Sequence, residues 1–285
     1  MAAIPSLDSL INNLTLGGPA PPEHLWAYID ARVQAAAPTA PVAGRINSLW
    51  QYNKTNGANG AVPPALASAA APTNATIGAW PVTDATGGRT KWLLGVEGTM
   101  NSAGALILYD RLVHCSGASG IVTTAQAITG GAVTRYTGAE SVGNKIQVEI
   151  HTAVGATATT LTVSYTNQAG VAGKITKPVA FGGTGLNTAT SIIQCPLADG
   201  DTGVQSVQSV TLAGTTATAG SFGVLIVRPL GMSVSGGVAS GFIRDMIAGL
   251  PSMPEIKPGA CLFAEWFSNS TTIPSGMIGM HLAEN

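Results

Sequence analysis

Ile146-Gln147-Val148-Glu149-Ile150-His151 alternates apolar and polar residues without a break, and Thr160-Leu161-Thr162-Val163-Ser164-Tyr165 repeats the pattern further on. Side chains two apart share one face of an extended chain, so each run reads as a β-strand turned to a core. Apolar runs of strand length recur at 92–96, 105–115, 120–124, 191–195, 204–212, 222–227, 261–267 and 277–282. About ten short strands parted by Gly, Asn and Asp turns predict a mainly β fold, an antiparallel two-sheet sandwich. With crossing connections it would take the jelly-roll form. A helical interruption is expected at 242–250, where Phe242 and Met246 share a face ahead of the Pro-rich run 251–258.

The sandwich is expected to span 91–285, because the residues before it follow other rules. Ser6 can cap a helix in which Leu7, Leu10, Ile11 and Leu14 form one stripe, with Gly17-Gly18 as its stop. Pro22 suits a first helical position, and Leu25, Ile29 and Val33 would line a second helix with Trp26 beside them, ending at Pro38. Short helices cannot bury such stripes alone. Residues 1–44 are therefore expected to form a helical arm that packs on its own domain or docks on a neighbouring subunit. The stretch 45–90 is rich in Pro, Ala and Gly and is expected to lie extended over a surface. Trp50, Tyr52 and Trp80 would anchor it in pockets of its own core or of a partner. The docking residues expected from these patterns are Leu7, Leu10, Ile11, Leu14, Leu25, Trp26, Ile29, Trp50 and Trp80.

Charge narrows the function. The chain has 13 basic and 14 acidic side chains in 285 residues, 9% against the roughly 25% of an ordinary soluble domain. A folded chain of this mass exposes roughly 11,000 Å², which so few charges cover thinly. Such an exterior suits a subunit packed against neighbours. Net charge is −1 with no basic stripe, which argues against nucleic acid as a partner. The two charge-free stretches, 150–173 and 202–227, are broken by Thr, Ser, Gln and Gly and read as strand pairs, not as membrane spans. The first basic residue is Arg32, so no positively charged signal start is expected. Three widely spaced cysteines, Cys115, Cys195 and Cys261, read as buried thiols of a chain made in a reducing cytoplasm.

Chemical constellations are scarce. His114 and Cys115 are neighbours on one expected strand, so they point to opposite faces and cannot act as base and nucleophile there. Asp199-Gly200-Asp201-Thr202-Gly203 has a faint calcium-loop look, but Val210 stands where an EF-hand needs its bidentate Glu. A tight turn explains both aspartates. Gly182-Gly183-Thr184-Gly185 lacks the Lys-Ser/Thr of a phosphate loop and reads as an inter-strand loop. Glu97, Glu149 and Glu265 fall on different strands, whose separation the sequence leaves open. No catalytic residue, cofactor or metal site is expected, and the chain reads as a non-enzyme.

Four stretches, 105–112 (Ala-Leu-Ile-Leu-Tyr-Asp-Arg-Leu), 160–170 (Thr-Leu-Thr-Val-Ser-Tyr-Thr-Asn-Gln-Ala-Gly), 199–210 and 258–262 (Pro-Gly-Ala-Cys-Leu), share a strand and turn texture. Together they resemble tailed-bacteriophage structural proteins, most closely the head cement (decoration) proteins with a jelly-roll core. The resemblance covers roughly 44–285 and has no catalytic residues to carry over. It implies a virion protein made in the bacterial host's cytoplasm, a homo-oligomer that binds the outside of the major capsid protein lattice and bridges its capsomers. Phe181-Gly182-Gly183-Thr184-Gly185 is similar to a motif of phage tail fibres, which keeps a tail or baseplate component as the alternative. A carbohydrate-binding sandwich is the third reading.

Overall fold

The computed structural model describes residues 23–30, 40–52, 60–236, 241–245 and 253–284, with backbone alone for 23–30 and 242–245. The strands among them are β1 (Glu23–Asp30), β2 (Arg45–Ser48), β3 (Lys91–Met100), β4 (Gly104–His114), β5 (Gln126–Ala127), β6 (Lys145–Thr152), β7 (Thr159–Asn167) and β8 (Lys174–Ile175). There follow β9 (Val179–Phe181), β10 (Ile192–Cys195), β11 (Val204–Leu212), β12 (Ser221–Ser235), β13 (Gly241–Asp245), β14 (Glu255–Ile256), β15 (Leu262–Ser268) and β16 (Ser275–Glu284). The fold is mainly β and antiparallel, in a sandwich-like arrangement of three sheets. A central six-stranded sheet runs β10-β6-β12-β4-β15-β2. One flanking sheet runs β5-β11-β7-β8, with β9 also on β7; the other runs β1-β16-β3-β13, with β14 also on β3.

The central sheet takes part in two sandwiches. Ile146, Val148 and Ile150 of β6 and Phe222, Val224 and Ile226 of β12 pack on Leu161, Val163 and Tyr165 of β7 and Val207 and Val210 of β11. Leu106 and Leu108 of β4 and Leu262, Ala264 and Trp266 of β15 pack instead on Leu93 and Val96 of β3 and Ile278, Met280 and Leu282 of β16. Strand β12 crosses from one core to the other through an irregularity at Pro229, where the pairing with β4 passes from Pro229–Tyr109 to Gly231–Leu108. Proline has no N–H to give a ladder, so a bulge belongs there. Leu230, the extra residue, turns into the second core.

The central sheet also curls until its edges meet. Asn47 of β2 bridges Ser191 beside β10, and the Ser48 N–H donates to the Thr190 carbonyl at 2.8 Å. Edge strands β2 and β10 thus cover each other, which removes two exposed edges. This closure explains why β6 is buried on both faces: Gln147 and Glu149 are as enclosed as Ile146 and Val148.

Three expectations are corrected. Residues 23–30 are strand β1, not the helix that Leu25, Ile29 and Val33 suggested. Leu25, Ala27 and Ile29 also alternate, and an aromatic-rich octet fits a pleated surface. All eight residues pair with β16, whose edge would otherwise be bare. Residues 241–245 are strand β13 on β3, not the start of a helix; 246–250 lie outside the described residues. Residues 120–124 form a turn, since Gly120 donates to the Ala219 carbonyl at 2.6 Å and accepts from Thr216 at 2.8 Å. The helix expected after Ser6 lies outside the described residues.

Candidate functional site

Pairing registers define what the inner side of the curled sheet presents. Across β2, β15, β4 and β12, one rung is Ile46–Phe267–Ala105–Val234, and the next is Ser48–Glu265–Ile107–Met232. Paired residues share a face, so each rung is a line of neighbouring side chains. Strands β6 and β10 do not reach this far, because β6 pairs with β12 only from Ser221 to Val227. The rungs are left open on that side. Phe267, Met232 and Val234 are 40%, 55% and 63% exposed, with Ile46, Ala105 and Ile107 half-buried between them. No charged side chain stands among these six, and Ser48 and Glu265, which complete the second rung, are fully buried beneath them. Unlike scattered surface valines, the six form one continuous apolar strip.

Deeper along the same side the lining turns polar and closed. The Arg111 Nη2 donates to Glu149 Oε2 at 2.6 Å, and neither residue is exposed at all. The guanidinium lies 4.5 Å from the Trp50 ring centre and 5.1 Å from that of Phe263. Trp50 meets His114 edge-on at 5.9 Å, and Tyr109 stacks on Phe263 at 5.8 Å. Here a buried cation is held by one carboxylate and two π faces. Arg111, His151 and Ser48 together hold the Glu149 carboxyl below its ordinary range against the cost of burial. Glu265 has no such partner. Burial, then the Glu149 charge, push it up to about 8, although Gln147, Tyr109 and Arg111 pull the other way. Burial drives His114 down to about 2 and also lowers His151. At neutral pH the cluster is therefore one ion pair beside a protonated Glu265 and two neutral imidazoles.

A second buried pair braces the sheet from outside. Arg135 Nε and Nη2 donate to both oxygens of Asp110, at 3.0 and 2.7 Å, while Nη1 donates to the Pro72 carbonyl at 3.0 Å. Asp110 also accepts the Cys261 N–H at 2.9 Å. One bidentate contact thus ties β4, β15 and the stretch around Pro72 together.

The residues expected to dock fall into three groups. Leu7, Leu10, Ile11 and Leu14 lie outside the described residues. Leu25, Trp26 and Ile29 stand on β1, with Met280, Gly279 and Gly276 as backbone partners. Trp50 and Trp80 are 1% exposed in the chain's own core, so their anchoring is internal and they offer no surface to a partner. Trp50 Nε1 donates to the Ala61 carbonyl at 2.9 Å, and the Trp80 N–H donates to the Leu262 carbonyl at 2.9 Å. Of the three carboxylates left open, Glu149 and Glu265 come together, whereas Glu97 meets His281 at 3.1 Å on another sheet. Asp201 accepts from the Tyr165 hydroxyl at 2.6 Å and from Asn167 at 2.7 Å, as a turn brace does. Among the described residues, no group of three or more His, Cys, Asp or Glu is placed to hold a metal ion. No described helix is long and apolar enough to cross a membrane.

Sequence reasoning missed the strip. Met232, Val234 and Phe267 look like strand residues of any apolar run, and only the cross-strand register brings them together. The signal available was that 221–235 is longer than any strand beside it.

No protein-family model matches the chain, and no curated protein does. Among solved structures, the chain is similar to one described as the infectious bursal disease virus Gt strain. That alignment has 8% identity, covers 92% of this chain and 80% of that one, and has a TM-score of 0.19. A second, the VP2 subviral particle of infectious bursal disease virus, aligns at 9% identity over the same shares, with a TM-score of 0.17. Both are viral capsid structures, and at these scores the likeness carries no inference about function.

Proposed function

We propose that this chain is a non-enzymatic structural protein of a tailed-bacteriophage virion, a decoration protein bound outside the head. It works in many copies, against the major capsid protein and against itself, and adds stability through contact area. What carries the reading is the exterior. Of 27 ionic side chains, Lys91, Asp110, Arg111, Glu149 and Glu265 are buried, so the surface is poorer in charge than the composition alone implies. In place of charge it has the uncharged strip of Phe267, Met232 and Val234. On a fixed lattice, many modest contacts add up, each worth about 25 cal/mol per Å² of apolar burial before association costs. The family resemblance of 105–112, 160–170, 199–210 and 258–262 supports the same position.

Cryo-electron microscopy of purified particles, with antibody labelling of this chain, tests the reading. The expected result is density on the capsid exterior at regular lattice positions, and heads that lack the chain should break at lower temperature. Labelling confined to the tail would move it to the tail or baseplate reading. Particles without the chain would end the virion reading altogether.

A further inference from the structure

Six side chains on the inner side of the curled sheet are shut away from solvent with hydrogen-bonding atoms to spare. Arg111 Nε and Nη1, Glu149 Oε1, both Glu265 oxygens, both Gln147 amide atoms and the Nδ1 atoms of His114 and His151 have no hydrogen-bond partner among the described residues. These residues are at most 7% exposed, and Arg111, Gln147, Glu149 and Glu265 are fully buried. Left bare, nine such atoms would together cost about as much as the whole stability margin of a domain. We propose that this closed interior is a built site for a cluster of ordered water molecules, which joins the Arg111–Glu149 pair to Gln147 and Glu265.

Placement brings the atoms together. Gln147, Glu149 and His151 take alternate positions on β6, so they share the face opposite Ile146, Val148 and Ile150, which belong to the first core. Arg111 and His114 come from β4 and Glu265 from β15, and the seam of β2 and β10 shuts the ring. Gln147, Tyr109 and Arg111 lie near enough to Glu265 to act on its charge, yet none meets its oxygens in hydrogen-bonding geometry. Polar groups held in that way are what a bridging water joins.

The chemistry selects water. A guanidinium offers only donors, an ionised carboxylate only acceptors and an amide both, so the occupant must donate and accept. An anion would bring a second negative charge to a place where Glu149 already neutralises Arg111. For a metal ion, no group of three or more His, Cys, Asp or Glu is suitably placed among the described residues. Six strands enclose less than the eight whose interior side chains just fill, and Trp50 and Phe263 take part of that space, which leaves no room for an organic ligand. A buried water makes about three hydrogen bonds, so these nine atoms call for about three molecules. Water enters beside Tyr109, whose hydroxyl interacts with Gln147 and Glu265 within and with the exposed Gln194 at the seam.

Crystals of the full chain, grown in chloride and again in bromide, test this, together with magnetic relaxation dispersion of water oxygen in solution, which registers long-held water. The expected result is about three density peaks within hydrogen-bonding reach of Arg111, Glu149, Gln147 and Glu265, with no anomalous signal in bromide. The dispersion should fall by about two waters in Gln147→Leu/Glu265→Leu, which removes the partners, and persist in Glu265→Gln, which keeps them. An anomalous peak at the site would make the occupant an anion, and an interior without density would make it dry; either overturns the proposal. A folded double variant with unchanged dispersion would overturn it as well. The natural chain's crystals decide the matter even if the double variant fails to fold.

Discussion

Above neutral pH, Glu265 is the group of the buried cluster through which this fold feels pH. Glu149, Gln147, Tyr109 and Arg111 face it, from β6 and β4, and Ser48 lies beside it on β2. Its carboxyl sits at about 8 in the folded chain and near its ordinary 4.5 when unfolded. The folded state therefore holds a proton that the unfolded state releases between those values. Its stabilising contribution is complete below about pH 4.5 and fades as pH rises to about 8, by a few kcal/mol at most. Glu149 has the opposite sign and matters only on the acid side of its ordinary range. Burial lowers His114 and His151, so both oppose this trend until pH passes their ordinary 6.5. Urea midpoints measured from about pH 7 to 8 should fall for the natural chain and stay nearly level for Glu265→Gln. Equal slopes would refute this. The neighbouring ion pair predicts a different asymmetry. Arg111→Met strands the Glu149 charge and should cost about 3–5 kcal/mol, whereas Arg111→Met with Glu149→Leu should recover most of that loss. A double variant as unstable as the single one would show that the cost lies in packing against Trp50 instead.

At the scale of elements, Trp50 turns a Pro- and Ala-rich stretch into part of the body. It closes the inner side of the curled sheet against His114, Phe263 and Arg111, and the backbone around it has no slack. A methyl at Gly60 would come within 2.4 Å of the Trp50 carbonyl; one at Gly78, already at φ +102°, within 2.5 Å of the Gly60 Cα. Trp50→Ala should cost about 3–5 kcal/mol, and Gly78→Ala should be destabilising although it adds a single carbon. In both, limited proteolysis should begin within 60–82 while the flanking sheets stay intact; cleavage elsewhere first would contradict the bracing role. The same stretch marks how far the sequence could be read. Alternation located β6, β7 and most other strands, because burying one face sets a period of two. It could not show that Gln147 and Glu149 would be enclosed as well, since curling the sheet until β2 meets β10 leaves no local mark. Leu25, Ile29 and Val33 fit a helical stripe as well as Leu25, Ala27 and Ile29 fit a strand, and the bare edge of β16 decided between them. Aromatic residues in a Pro- and Ala-rich stretch mark Trp50 and Trp80 as anchors without saying in what, and the pockets, assembled from β4 and β15 far away in the chain, are internal.

For the whole molecule, the economy of charge has an inside and an outside. Inside, Arg111–Glu149 and Arg135–Asp110 use ionic groups to fix strands in one register, a use that favours specificity over net stability. Outside, the solvent face of β7 and β11 carries Thr162, Ser164, Thr166, Ser206, Gln208 and Ser209, with Gln208 donating to Thr166 and Ser206 at 3.1 and 2.7 Å. Amides and hydroxyls that bond one another keep such a face wet without charge. Contacts between copies would then depend on apolar area, which salt strengthens, and hardly at all on ion pairs, which salt screens within about 10 Å at 0.1 M. Raising sodium chloride from about 0.1 to 1 M should accordingly leave self-association unchanged or stronger, as judged by sedimentation velocity. Val234→Asp, which puts a carboxylate on the exposed strip, should associate less than the natural chain at every salt concentration, because salt cannot remove the cost of burying a charge. Association that collapses with salt would mean that the few remaining surface charges hold the copies together, and the strip would then have to be read as a bystander.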